Sequence, residues 1–336
     1  MNYLHFAGVD VSKDWIDIVL LSVTNSKTKA HIQVDNNLKG FKCFKKWLSK
    51  HGVKDFRQLF ISMEHTGVYT IPLCEFLEKL KWAYTLIPGQ QIALSNGITR
   101  GKSDRIDALR IAKYTLKNMD ELRIQRLPNQ ALRELKAMLT MRERLVKVRQ
   151  GLLSAHREIK AFESDQVYQQ MDQVAKTFIE SATLQIKQVD QQIEAFIQEH
   201  PTLKRNFDLL MTVPGIGKQN ALYMIWLTKN FISFSCPKKF ASHAGIAPFH
   251  SQSGYKKGGG SKVSHKANKK MKALLTSAVV CSLRTCKEYQ LYYNRQLEKG
   301  KNENSIKNVI RNKIVARAFA VIKRQEPYID IFKYAA

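Results

Sequence analysis

Two apolar runs in this chain each end in a carboxylate: His5-Phe-Ala-Gly-Val-Asp10 and Leu59-Phe-Ile-Ser-Met-Glu64. A further acidic pair, Asp104 and Asp107, lies in Lys102-Ser-Asp-Arg-Ile-Asp107, where helical spacing begins. Short apolar runs of this kind read as buried strands, and acids at i and i+3 share one face of a helix. The pattern requires a fold that brings two strand ends and one helix start together. The rest of the chain is strongly basic, so acids placed in this way are not explained by solubility.

Residues 5 to 120 read as α/β. Phe6–Asp10, Trp15–Val23 and Ala30–Val34 are successive strand candidates, with Ile16, Ile18 and Leu20 alternating along the second. Leu38–Lys50 has helical spacing through Phe41, Phe44 and Leu48. Leu59–Met63 and Tyr84–Ile87 are short strands, and Ile71–Leu80 and Asp104–Leu116 are helices. Three strands in sequence followed by β/α alternation fit a mixed sheet with helices on its faces.

The character changes after Pro128. Met138, Leu145, Leu152 and Ile159 recur every seven residues, as do Leu132, Leu139, Val146 and Leu153. Ile179, Ile186 and Ile193 interleave with Ala182, Val189 and Phe196 in a second segment. This is the spacing of a coiled coil or a long helical hairpin, with the turn expected within Phe162–Gln173. The pattern leaves open whether each helix pairs within the chain or with another subunit. Pro201 ends the second long helix. Lys266–Cys281 and Asn304–Arg324 are the last clear helices. The expected division is therefore 1–127, an α/β carboxylate domain; 128–200, a coiled coil or hairpin; and 201–336, a mainly helical basic domain.

The chain has 336 residues, enough for two or three domains, and 44% of them are hydrophobic. Lys and Arg number 55 against 28 Asp and Glu, a net charge of +27. Ala241–Ala336 holds nineteen of the basic residues and only five acids, so more than half of the surplus lies in the last third. Such a charge repels itself unless a polyanion is a regular partner, and nucleic acid is the first candidate. A membrane partner is disfavoured, because no run approaches the ~18 apolar residues of a spanning helix. The start, Met1-Asn-Tyr-Leu-His5, leads straight into a strand pattern rather than a signal peptide. The five cysteines form no C-x-x-C pair, which argues against zinc and suits reduced thiols in a cytoplasm.

Carboxylates at strand ends and a helix start are what an RNase H-like metal nuclease needs. Two divalent cations ~3.5–4 Å apart activate an attacking oxygen and stabilise a leaving one, and Mg²⁺ prefers carboxylate oxygens. The competing reading makes Asp10 and Glu64 ordinary strand-end acids and Asp104 a helix N-cap. A basic loop follows much later, Ser251-Gln-Ser253-Gly-Tyr-Lys256-Lys257-Gly-Gly-Gly-Ser261-Lys262. Its glycines permit close approach to a phosphate and its lysines supply countercharge. A serine there either grips DNA or, if activated, attacks phosphorus. Pro214-Gly215-Ile-Gly217-Lys218 resembles a helix-hairpin-helix turn, which presents backbone N–H groups to phosphates; the plain alternative is a helix–helix turn.

Taken together, Gly8-Val-Asp10-Val-Ser-Lys13, Glu64-His-Thr-Gly67-Val-Tyr69 and Lys102-Ser-Asp104-Arg-Ile-Asp107-Ala108 resemble the signature blocks of the DEDD insertion-sequence transposases. That family includes the pilin-gene invertases and the bridge-RNA-guided recombinases. Val213-Pro-Gly-Ile-Gly217, Ala244-Gly-Ile-Ala-Pro248 and Gln252-Ser253-Gly254 resemble its second conserved region, so the resemblance spans nearly the whole chain. It implies a RuvC-like N-terminal domain binding Mg²⁺, two ions per site, through Asp10, Glu64, Asp104 and Asp107. It implies a coiled-coil middle and a C-terminal domain with a nucleophilic serine that becomes joined to DNA. By motif the serine is Ser253, with Ser251 the nearby alternative. It also implies a structured non-coding guide RNA in some members, and a reaction centre completed across subunits. The long helices are expected to pair subunits, giving a homodimer or homotetramer. One stretch departs from the family pattern. Ser264-His265-Lys266-Ala267-Asn268 has its lysine shifted by one and Ala where Gly is usual, though Asn268 matches. The expected nucleic-acid contacts are Gly215, Gly217, Lys218, Lys256, Lys257, Lys262, Lys266 and Asn268.

The leading expectation is a cytoplasmic DNA recombinase that mobilises its own insertion sequence. The first rival is a metal-only nuclease resembling a Holliday-junction resolvase, in which Ser253 merely binds phosphate. The second is a non-catalytic nucleic-acid-binding protein.

Overall fold

The computed structural model describes residues 3–23, 30–95, 97, 103–162, 164–234, 236–249, 262–264 and 267–330. They form two compact units, Met1–Leu127 and Pro128–Ala336.

The first unit is a five-stranded mixed sheet with helices on both faces. Its elements are β1 (His5–Val11), β2 (Trp15–Ser22), β3 (Ala30–Asp35), α1 (Leu38–Lys50), β4 (Leu59–Glu64), α2 (Ile71–Lys79), β5 (Ala83–Ile87), α3 (Gly89–Ser95) and α4 (Asp104–Lys117). The strand order is β3-β2-β1-β4-β5; β1 to β3 pair antiparallel, and β4 and β5 add parallel to β1. This arrangement is consistent with the RNase H-like fold expected from the acids.

Side-chain alternation sorts the two faces. Ala7, Val9, Val11, Ile16, Ile18 and Leu20 point to one side, where Phe41, Phe44 and Leu48 of α1 and Leu73 and Leu77 of α2 cover them. Val19 and Leu21 point to the other and meet Ala108 and Ala112 of α4. Gly8 also faces α4. A β-carbon there would lie 2.2 Å from the Ala108 carbonyl oxygen and 2.3 Å from the Ala112 nitrogen. Only glycine lets the helix backbone settle directly onto the strand.

The second unit is almost wholly helical: α5 (Gln130–Phe162), α6 (Asp165–Glu199), α7 (Pro201–Met211), α8 (Lys218–Leu227), α9 (Pro237–His243), the short strands β6 (Pro248–Phe249) and β7 (Lys262–Val263), α10 (Lys269–Thr285), α11 (Lys287–Glu298) and α12 (Glu303–Arg324). α5 and α6 form an antiparallel hairpin within the chain. Arg142 pairs with Asp190 at 2.6 Å, and further along His156 meets Asp172 at 2.6 Å. Ala182, Ile186, Ile193 and Ile197 are the buried residues of α6.

The turn is shorter than the heptad gap predicts. α6 already begins at Asp165, because the Ser164 hydroxyl accepts from the Val167 N–H and an acid occupies the first turn. At the hairpin's base Leu132, Leu135, Ile193 and Ile197 enter a core shared with Leu210, Ile225, Leu275, Ile310 and Val321. Pro201 does not simply stop a helix; it opens α7 as a first-turn residue. α10 starts at Lys269, capped by Asn268, rather than at Lys266. Among the described residues no helix is long and apolar enough to cross a membrane.

Candidate active site

Asp10 lies near the end of β1, and parallel pairing of Gly8 with Ser62 sets β4 in register so that Glu64 lies on the same face. That face is the one α4 covers. The backbone contact at Gly8 holds α4 across the sheet with its first turn, carrying Asp104 and Asp107, toward Asp10. Asp104 is not the N-cap. Ser103 takes that role, its hydroxyl accepting from the Ile106 N–H at 3.3 Å, and Asp104 is the first helical residue. The helix N-terminus favours both acids there.

The electrostatics show the four acids sharing one field. Burial first, then the charges of Asp104, Asp107, Glu64 and Asp17, push the Asp10 carboxyl up from 3.8 to about 6. Asp17 is an acid that spacing did not single out. It pairs with Asp10 across β1 and β2, is buried, and is held by His31 Nε2 at 2.7 Å and Gln33 Nε2 at 2.8 Å. Its membership of this face becomes visible only with the strand register. Gly89 is a second such residue. A β-carbon there would lie 2.2 Å from Glu64 Oε1, so the start of α3 leaves room for that carboxylate.

Among the described residues, no three acidic, histidine or cysteine side chains are drawn together tightly enough to enclose an ion. Asp107 is turned to Arg110, its Oδ1 accepting from Nη1 at 2.7 Å. The donor set nevertheless fits a hard divalent cation. It is all carboxylate oxygen, and its mutual repulsion is what a bound cation would relieve.

Ser253, Ser251, Lys256, Lys257 and Lys266 lie outside the described residues. The flanks of the 250–261 segment are described. β6 and β7 pair antiparallel, Pro248 with Val263 and Phe249 with Lys262. Asn268 follows; its N–H donates to the His243 carbonyl at 2.9 Å and its side chain caps α10. Gly245 has φ of +67°, and a β-carbon on it would lie 2.3 Å from the Ala267 methyl. Ala267, the departure from the family pattern, therefore fits against a bare glycine.

The Pro214–Lys218 turn joins α7 to α8. Gly215 has φ of +88° and packs on α10, 2.5 Å separating its would-be β-carbon from the Ala278 carbonyl. Its glycine is thus required by conformation and packing. Gly217 caps α8 with open space around it, and Lys218 is paired with Glu194.

Comparison with known proteins joins these features. A DEDD family model described as a transposase matches residues 7–159, which carry all four acids. A second, described as the transposase IS116/IS110/IS902 family, matches residues 207–294. A pilin gene-inverting protein of Moraxella bovis is 28% identical over 333 residues, 96% of this chain and 97% of its own. Its counterpart in Moraxella lacunata is similar to the same extent. Two models of one family thus match in order, one on the carboxylate face and one on the helical unit, and the chain belongs to the IS116/IS110/IS902 transposases, enzymes that cut and rejoin DNA.

Proposed function

We propose that this transposase cuts DNA by covalent serine chemistry at a divalent-metal carboxylate site. The single observation that carries the metal half is the placement of Asp10 and Glu64 on one face of the sheet, under the helix whose first turn carries Asp104 and Asp107. Asp10, Glu64, Asp104 and Asp107 would hold the cation, Mg²⁺ by resemblance and as a pair of ions. When bound, it polarises the phosphate and stabilises the leaving oxygen. The serine half is supported by the Gln252-Ser253-Gly254 motif and by the ribbon of β6 and β7 at its flanks.

Ser253 Oγ attacks phosphorus and gives up its proton. The bond from phosphorus to the deoxyribose oxygen breaks, and that oxygen leaves as a hydroxyl. One phosphodiester becomes one phosphoserine ester, so the number of ester bonds is unchanged and a new strand end can resolve the link. Lys256, Lys257, Lys262 and Lys266 supply cations for the strand's phosphates. The resemblance supports a guide RNA and a reaction centre completed across subunits of a homodimer or homotetramer, although α5 and α6 pair within the chain; the net charge of +27 suits a chain that carries nucleic acid of either kind.

The test is adduct trapping. Full-length protein is mixed with element-end DNA, Mg²⁺ and the element's flanking transcript, then run on a denaturing gel. A DNA–protein adduct that is lost in Ser253→Ala and in Asp104→Ala, and that needs the transcript, is the expected result. Cutting that continues without an adduct in Ser253→Ala would leave a hydrolytic nuclease.

A further inference from the structure

Within the second unit a cleft of about 170 Å³ opens between α5, α8 and α10. Lys136, Arg142, Glu143, Tyr223, Trp226 and Lys270 line it. Tyr223 and Trp226 lie together, ring centroids 5.1 Å apart and planes 59° apart. Both rings flank the core but remain partly exposed, unlike Ile225 between them, which is fully buried. A cation stands over the exposed part of the indole, Lys136 Nζ at 5.3 Å from the ring centroid.

The cleft's other charges are committed. Arg142 donates through Nε and Nη2 to Asp190, at 2.6 and 3.1 Å. Glu143 faces Lys147 at 3.2 Å and Lys270 at 3.5 Å. Lys136, in contrast, has no carboxylate partner among the described residues and sits on an exposed face of α5. An aromatic pair beside an uncommitted lysine is the chemistry on which unpaired bases stack, the ring taking the base and the ammonium its phosphate. A duplex cannot offer a base face inside such a cleft.

Location argues the same way. The Tyr223 hydroxyl donates to Asn268 Oδ1 at 3.3 Å, and that oxygen also accepts the Met271 N–H at 2.9 Å. Asn268 stands five residues after Val263 of β7, the strand that follows Ser253 in the chain and pairs with β6 before it. One hydrogen bond therefore ties the cleft to the residues that follow β7.

We propose that this cleft takes one unpaired DNA base, stacked on Trp226, with Lys136 at the adjoining phosphate. The proposal rests on membership of a family that cuts and rejoins DNA, because strands that part and re-pair leave unpaired bases beside the break. It does not depend on which group attacks phosphorus.

Trp226 makes the test direct. The other three tryptophans, Trp15, Trp47 and Trp82, lie in the first unit. Full-length protein in EDTA, where no cutting occurs, is titrated with a short oligothymidylate while tryptophan emission is followed. Quenching is expected in the parent and absent in Trp226→Phe. By fluorescence anisotropy, Trp226→Ala should bind about tenfold more weakly. Lys136→Gln, a change on an exposed helix face that leaves the fold intact, should lower the salt slope by about one. Equal quenching in Trp226→Phe, equal quenching by a duplex of the same length, or an unchanged salt slope in Lys136→Gln would each overturn the proposal. Quenching by oligouridylate RNA but not by DNA would overturn the choice of DNA. Loss of adduct formation in Ser253→Ala would leave all these binding results untouched.

Discussion

Gly8 of β1 meets the Ala108 carbonyl of α4 so closely that an added methyl carbon would lie 2.2 Å from the oxygen. Neither partner in that contact is a flexible side chain, so neither can yield without moving a strand or a helix. The contact fixes where the first turn of α4, with Asp104 and Asp107, stands relative to Asp10.

Gly8→Ala should therefore both destabilise and disarm the protein. Overpacking of this kind costs about 2 kcal/mol, read as a lower urea midpoint with an unchanged slope. Metal-dependent DNA cutting should fall far more than the folded fraction does. A variant with lowered stability but full specific activity in its folded fraction would contradict the role given to this contact.

Gly89→Ala separates position from stability. The group it would strike, Glu64 Oε1, is the far end of a side chain and can swing aside. The melting temperature should barely move, while the Mg²⁺ concentration needed for half-maximal cutting should rise by about tenfold, the usual scale for a residue that only orients a ligand. An unchanged metal requirement would show that Glu64 is free to sit elsewhere.

Asp10 gives the metal-free protein a defined pH response. Its folded carboxyl titrates near 6 and its unfolded one near 3.8. A carboxyl with a raised folded value binds its proton more tightly when folded. The associated stability is complete below about pH 4 and is lost as pH rises through 6. Thermal melts in EDTA should thus show Asp10→Asn more stable than the parent above pH 6, and the advantage should vanish below pH 4. Adding Mg²⁺ should raise the parent's melting temperature and leave Asp10→Asn nearly unaffected. Parallel melting curves at all pH values would refute the shared field.

The hairpin of α5 and α6 can be probed at Arg142 and Asp190, which share a two-pronged, half-buried contact. A double-mutant cycle with Ala at each should give a coupling of about 1 kcal/mol. A coupling near zero would mean that apolar burial at Ile186 and Ile193 alone sets the register.

The strands bearing Asp10 and Glu64, and the helix bearing Asp104 and Asp107, were legible because alternation and helical spacing are local. α1 matches its expected bounds of Leu38–Lys50 for the same reason. What lay beyond reading was whatever depends on register or on approach through space. Asp17 looked like one more polar residue of an alternating strand until pairing placed it opposite Asp10. Gly89 carries no signal in its local sequence, and Gly215 reads as a phosphate-binding glycine; only their neighbours in space show what each glycine makes room for. The turn between α5 and α6 is narrower than the heptads predict because their spacing fades over residues 165–174, where Val167, Met171 and Val174 form an exposed stripe.

The carboxylate face draws on β1, β4 and α4, with β2 adding Asp17, and no one of these elements holds more than two of its acids. A chain still emerging from the ribosome therefore cannot gather the four acids until α4 has been made and seated at Gly8. The carboxylate face is thus completed by the last helix of the first unit rather than by the strand that begins it.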